Sequence, residues 1–280
     1  MKPGLEPAIE EFNKTILGFY KRYGRSFPWR YHGKPDPWGV IVSEFMLQQT
    51  QTHRVIPYWE RWMKLWPGPS DLAAASLENV LREWNGLGYN RRAKKLHDCA
   101  REIAVEHKGV APKTPDELIL LPGIGAYTAG AVACFAWGYP AVFIETNIRA
   151  VFIHFFFKDK TGINDKELLP ILEMALDRKD PKTWYWALMD YGAELKKITK
   201  NPGRKSAHYY RQSRFKGSFR QVRGELIRAL SGNGPQHAGV LQENIMKKLP
   251  DASGETIYQA LGILEKESLV AEENGIYRIK

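Results

Sequence analysis

Cysteine is scarce in this chain: Cys99 and Cys134 are the two among 280 residues. A disulfide framework is thereby excluded, and neither thiol has a spaced partner of the kind that builds a metal site. Both fall in apolar helical patterns and read as buried thiols, with no metal expected. No uninterrupted apolar run approaches the ~18 residues that a bilayer crossing takes. The opening residues mix charges without a leader-type apolar stretch, so a cytoplasmic, nucleoid-associated location is the expectation. β-type alternation is nearly missing before residue 215, which argues against a sheet-based fold there. Acids are missing from one stretch in particular. From residue 196 to residue 228 there are eleven Lys or Arg against the single acid Glu225, which accounts for the whole net charge of +10. Charge so concentrated fits a polyanion partner better than general solubility. A solvated linker is the alternative, since Pro202, Gly203 and Gly217 interrupt the strip.

Helical patterning is what the chain has in quantity. Apolar spacing predicts helices over 7–24, 37–49, 52–66, 72–84, 89–107, 146–157, 165–176 and 184–196. Phe27-Pro-Trp-Arg30 and Pro35-Asp-Pro-Trp38 read as extended, proline-punctuated connections. Residues 1–200 are therefore expected to form a mainly α domain, 201–217 a basic linker or DNA-contact strip, and 218–280 a small separate module. That module has helical patterns over 220–230, 238–247 and 253–266, then two alternating strands around Glu273-Asn274-Gly275, a strong hairpin combination. Three helices and a terminal hairpin resemble a winged helix, with 253–266 in the recognition-helix position. Glu255, Glu265 and Glu267 give it little base-reading chemistry, so DNA and protein contacts both stay open.

Residues 121–130 read Leu-Pro-Gly-Ile-Gly-Ala-Tyr-Thr-Ala-Gly. Pro122 fixes φ on entry, and Gly123 and Gly125 permit a tight turn without Cβ clashes. The turn brings backbone amides to the start of a helix near Ala126, where unpaired N–H groups and the positive dipole end suit a phosphate. Ahead of it, Thr114-Pro-Asp-Glu has an N-cap and Pro at the first helical position, which makes the unit helix, Gly hairpin, helix. Glu145, Thr146 and Asn147 follow it in sequence.

Between residues 27 and 195 the chain resembles the helix-hairpin-helix (HhH-GPD) DNA glycosylases, most closely their MutY-like adenine glycosylase branch. The resemblance rests on Phe27-Pro-Trp-Arg30, Val42-Ser-Glu-Phe-Met-Leu-Gln-Gln-Thr-Gln51, Gly86-Leu-Gly-Tyr-Asn-Arg-Arg-Ala93, Leu121-Pro-Gly-Ile-Gly125 and Leu188-Met-Asp-Tyr-Gly-Ala193. It implies a monofunctional enzyme of base excision repair, acting as a monomer on double-stranded DNA with a mispaired or damaged base. The target nucleotide is flipped out of the stack and its N-glycosidic bond hydrolysed. Adenine opposite guanine or 8-oxoguanine is the implied substrate. Mismatched thymine or uracil is one alternative, and a noncatalytic damage-sensing protein is another.

By the same resemblance, Glu44 protonates the departing base, and its apolar surroundings Ile41-Val-Ser-Glu-Phe-Met-Leu47 favour a retained proton. Gln48, Gln49 and Tyr89 fall where the family places wedges that fill the vacated stack, with surface amides and a packed tyrosine as the bland alternative. Glu145 stands where the family usually has aspartate, and would balance the oxocarbenium charge of the sugar. The extra methylene displaces the carboxylate by ~1.5 Å, a shift that can cost ~100-fold. Capping of the following helix is the competing role for Glu145 and Thr146. Asn147 would orient the attacking water or the carboxylate. Tyr127 replaces the nucleophilic lysine of bifunctional relatives, so no Schiff base and no β-elimination are expected; it would line the base pocket or pack behind the hairpin. The cysteines that bind an iron–sulfur cluster in many relatives are missing after Ala193, and no cluster is expected. Lys196, Lys197, Arg204 and Lys205 begin the basic strip there and are expected to supply phosphate contacts instead. A monovalent cation on hairpin carbonyls is compatible with the resemblance.

Overall fold

The computed structural model describes residues 5–30, 36–212 and 214–280. Pro35 of the second extended connection lies outside them. The helices in chain order are α1 Leu5–Tyr23, α2 Pro37–Leu47, α3 Thr52–Leu65, α4 Pro69–Ala74, α5 Leu77–Trp84, α6 Arg91–Val105, α7 Pro115–Leu118, α8 Ala126–Trp137, α9 Thr146–Phe156, α10 Asp165–Ala175 and α11 Pro181–Ile198. A 3-10 turn at Pro202–Lys205 follows, then α12 Phe219–Asn233, α13 Ala238–Lys248 and α14 Gly254–Lys266, with strands β1 Gln236–His237, β2 Val270–Glu273 and β3 Ile276–Ile279. The mainly α class is that of the sequence. The helix expected over 72–84 is broken in two, because the Ser76 side chain caps α5 by accepting from the Asn79 amide at 3.2 Å.

By compactness the chain divides into two units, one of residues 1–40, 112–120 and 124–211, the other of 41–111, 121–123 and 212–280. In the first, α1 buries Ile9, Phe12 and Ile16, and the Phe12 ring meets Phe152, Phe155 and Phe156 edge-on at 5.1 to 5.2 Å. Such edge-to-face pairs add to the area they bury. Asn13 ties this face down, accepting from Trp184 Nε1 and donating to the Ala175 carbonyl, both at 2.8 Å. α9 and α11 pack against each other, and a residue larger than glycine is barred at Gly192, where a Cβ would lie 2.6 Å from the Asn147 carbonyl oxygen.

In the second unit α4 and α5 pack on α6, and α3 meets α5, where the Trp62 ring stands edge-on to Trp84 and to Trp66. Residues 212–280 belong to this unit by compactness. α12 packs on α5; Arg82 Nε donates to the Ser231 carbonyl at 2.8 Å and Asn85 Nδ2 to the Ser231 hydroxyl at 3.2 Å. The three helices of this segment and its hairpin form as the pattern implies. β1 pairs with β3 in an antiparallel sheet of order β1-β3-β2; at two residues, β1 is too short to leave an alternation in the sequence.

Candidate active site and nucleic-acid interface

Glu44 sits on α2 among Ile41, Val42, Phe45 and Met46, and is itself 6% exposed. An acid so placed is costly unless engaged, and Glu44 has an interaction partner. α2 stops at Leu47, whose carbonyl accepts from the Thr50 amide at 3.1 Å. Gln48 is half-buried there, while Gln49 is exposed and held at φ 55°. The turn at Gly86-Leu-Gly-Tyr89 mirrors it: Gly86 and Gly88 have positive φ, and so does Tyr89 at 51°. Left-handed backbone at a glutamine and a tyrosine is strained and survives only where surrounding structure enforces it.

Arg92 enforces it. Its Nη1 donates to the carbonyls of Phe45 and Met46 at 2.9 Å and of Gln48 at 2.6 Å, and its Nη2 to Gly88 O at 3.0 Å and Thr50 Oγ1 at 3.1 Å. The guanidinium lies over Trp84 and Tyr89, 5.2 and 5.4 Å from the ring centroids. Burial among neutral oxygens pushes Arg92 down to about 10, which still leaves it cationic. Sequence reasoning had Arg92 inside a motif without a role. Its burial was the missing signal, since nothing local says which of Arg91 and Arg92 turns inward.

The hairpin forms with a shorter first helix than the pattern implies, a single turn at α7. Thr114 Oγ1 accepts from the Glu117 amide at 3.4 Å, while the Glu117 carboxylate accepts from the Thr114 amide at 3.2 Å. At Gly123, φ is 81° and a Cβ would stand 2.7 Å from Lys95 Cβ, so both backbone and space demand glycine. Gly125 is the N-cap of α8 and offers no side chain to its first amides, the arrangement suited to an anion. Tyr127 is half-buried, with its ring edge-on to Phe143 at 5.8 Å.

Glu145 is the N-cap of α9. Its Oε1 accepts from the amides of Asn147 at 2.6 Å and Ile148 at 2.8 Å; Oε2 accepts from Thr146 Oγ1 at 3.0 Å and Asn147 Nδ2 at 3.4 Å. The capping role is thus realised, and the longer side chain folds back onto its own helix. Asn147 Oδ1 accepts from Lys196 Nζ at 2.8 Å, so α11 supplies the third member of a Lys196, Asn147, Glu145 chain. Burial pushes the Lys196 ammonium down, Glu145 acts the other way, and Arg149 adds to the lowering.

Lys196 is therefore directed into the α9–α11 contact, with its Nζ on Asn147. Lys197 is exposed and paired with Glu194, Arg204 is exposed, and Lys205 donates to the Lys158 carbonyl. A further cluster escaped sequence reasoning. Asp190 of the Met-Asp-Tyr-Gly segment accepts from Arg25 at 2.6 Å and from Arg30 of the Phe-Pro-Trp-Arg segment at 2.9 Å, which binds two of the motifs to each other. Burial pushes the Asp190 carboxyl up, but the guanidiniums of Arg30 and Arg25 outweigh it and hold the group below the usual carboxylate range.

Residues 42–174 match the family described as HhH-GPD superfamily base excision DNA repair protein. The adenine DNA glycosylase of Mycolicibacterium smegmatis is 40% identical over 235 residues, 77% of this chain and 78% of that protein. The chain belongs to the adenine DNA glycosylase branch of the HhH-GPD superfamily. An adenine DNA glycosylase of Mycobacterium tuberculosis is 50% identical over 137 residues, 49% of this chain, and the match takes in 45% of that relative's length. Among solved structures, a thermostable thymine-DNA glycosylase superposes with a TM-score of 0.63 at 25% identity, over 70% of this chain and 91% of that one. One property of many HhH-GPD proteins does not fit these residues. A cubane cluster takes four thiolates, and the two cysteines here are buried in α6 and α8.

Proposed function

We propose that the protein is a monofunctional DNA glycosylase that removes adenine mispaired with guanine or 8-oxoguanine. The observation that carries the proposal is Glu44, a carboxyl buried on a helix whose one other polar side chain is Ser43, together with the branch of the family to which the chain belongs. In this reading the hairpin amides hold a backbone phosphate, the target adenine leaves the stack, and Gln48, Gln49 and Tyr89 fill the gap. Glu44 gives its proton to the departing base as the bond from the sugar C1′ to N9 breaks. The carboxylate of Glu145 balances the positive sugar, and Asn147, held by Lys196, orients the water that adds to C1′ and passes its proton to solvent. The products are adenine and an abasic site. With tyrosine at position 127 no amine attacks C1′, so the strand is not cut. Main-chain oxygens of the Gly123–Gly125 turn would hold a monovalent cation whose charge assists the phosphate.

The test is a panel of duplexes carrying adenine, thymine, uracil, hypoxanthine or 8-oxoguanine in different pairings, treated with alkali after reaction. Release of adenine without alkali-independent strand cutting is expected, and Glu44→Gln and Glu145→Gln should each lose about 100-fold or more. Release of pyrimidines only would replace adenine as substrate, and unchanged activity in Glu145→Gln would remove Glu145 from the mechanism. Tight binding without release from any duplex would make the protein a sensor. Neutralising Lys197, Arg204 and Lys205 should lower the salt slope of nonspecific duplex binding by about 2 to 3; an unchanged slope would discard the strip as a phosphate contact.

A further inference from the structure

Gly192 and Lys196 lie four residues apart on one face of α11, and both meet Asn147 of α9 in the first unit. The two contacts are complementary. Without a side chain at Gly192 the helix closes on the Asn147 backbone, and Lys196 Nζ, one turn on, donates to Asn147 Oδ1 at 2.8 Å. From the other side, Asn147 Nδ2 donates to Glu145 Oε2 at 3.4 Å. A carboxamide has an accepting and a donating end of nearly equal shape, so what faces it decides which way round it sits. An ammonium has only hydrogens to give, and a carboxylate only lone pairs. The shorter bond, from a charged donor, is that of Lys196, while Glu145 already accepts from two amides and a hydroxyl. Lys196 therefore has the larger share in holding the amide. That hold depends on a proton, because a neutral amine has a lone pair to receive a hydrogen from Nδ2 and the amide is then free to turn. The charge of Lys196 is opposed by burial and by Arg149 of α9, which is tied to Asp165 of α10, and is favoured by Glu145. α8 contributes no charged side chain, and Glu194 and Lys197 of α11 pair with each other.

We infer that Lys196 is a positioning residue whose ammonium fixes which way the Asn147 amide faces, and that loss of its proton sets the alkaline limit of base release. With the amide held, one hydrogen of Nδ2 and one lone pair of Oδ1 remain for the water. Turned round, the two exchange places: the water meets the wrong partner, and Oδ1 is set against the Glu145 carboxylate. Lys196 itself touches neither the sugar nor the base. An arginine has the same effect without the limit, since it keeps its charge at every working pH and has only donors. The inference deepens the proposed function and rests on it.

Single-turnover release of adenine opposite guanine or 8-oxoguanine is followed between about pH 6 and about pH 10, and binding is measured separately to the same duplex with a tetrahydrofuran abasic analogue at the target position. The wild-type rate should fall at the alkaline end. Lys196→Arg should release adenine within about threefold of wild type at neutral pH and carry the alkaline fall upward by about one pH unit or more. Lys196→Met should be about ten- to a hundredfold slower at neutral pH and lose the fall altogether, while Lys247→Met on α13 keeps the wild-type profile. Binding to the analogue should change in none of them by more than about threefold, as befits a residue that positions another and does not hold DNA. Circular dichroism checks folding, and if Lys196→Arg does not fold, the profile of Lys196→Met decides. A fall at the wild-type pH in either Lys196 variant, a wild-type rate without a fall, or full activity in Lys196→Met overturns the inference and leaves the glycosylase reading standing. Adenine release from no duplex by the wild type overturns both.

Discussion

In the second unit the buried charge of Arg92 faces neutral oxygens, carbonyls and one hydroxyl, whereas in the first unit the buried carboxylate of Asp190 faces two guanidiniums. The two solutions serve different ends. A cage of carbonyls pins backbone, and Arg92 pins the two strained segments that carry Gln49 and Tyr89. An ion pair joins side chains, and Asp190 joins α11 to the segment that leaves α1. They differ also in response to acid, because the cage of Arg92 contains no group that titrates near neutrality while Asp190 does its work only when ionised.

Asp190→Ala breaks the comparison most strongly. It leaves the Arg30 side chain, 5% exposed, as a buried charge without its acid, and should cost about 3–5 kcal/mol in denaturant unfolding. The pH dependence has a definite sign. Asp190 is held below its ordinary value in the folded state, so its contribution is fully present above the unfolded value and is lost as pH falls below about 4. An acid titration of stability should therefore show a smaller loss below that pH in the variant than in the wild type; parallel curves would refute the assignment. Arg92→Ala should cost about 1–3 kcal/mol, from carbonyls left without donors, and the loss should be the same at pH 5 and pH 8. A loss that varies between those pH values would mean that a titrating group completes the cage.

Glycines sharpen the contrast further. Gly123→Ala meets both a positive φ and the Lys95 side chain, and Gly192→Ala meets the Asn147 carbonyl. Each should cost about 1–3 kcal/mol by overpacking. Base release should fall further in Gly192→Ala than its stability implies, since Asn147 is displaced; release that tracks stability alone would separate Asn147 from the reaction. The smallest effects are expected at the caps, Thr114→Ala in the first unit and Ser76→Ala in the second. Each should lose about 1 kcal/mol in thermal unfolding, and equal losses would show that the units differ in how they treat buried charge rather than in local helix stability.

Much of this was legible beforehand because its causes are local. Helix spans follow apolar spacing, the 114–117 cap follows from Thr, Pro and Glu at the right offsets, and the turn at 121–125 follows from Pro and Gly. The break at Ser76 was missed because the flanking apolar spacing runs on across it, although serine is itself a cap residue. Glu44 was legible as an acid in an apolar setting. Glu145 was legible only as two alternatives, and the geometry shows it capping α9, which settles where its oxygens point in this structure. Lys196 reads by composition as part of a basic strip, and its Nζ donates to an asparagine 49 positions away in sequence, a partner that no local pattern announces.

The sequence by itself determined the helical class, the family motifs, the hairpin and the identities of the groups able to do chemistry, since each depends on neighbours within a few residues. Only the tertiary structure decided which charges lie inside, that Arg92 stitches α2 to the 86–89 turn, that two motifs meet at Asp190, and that the C-terminal helices share a unit with α5. The physical reason is that burying a charge or straining a backbone is tolerable only where partners from distant parts of the chain converge, and a one-dimensional pattern does not record that convergence.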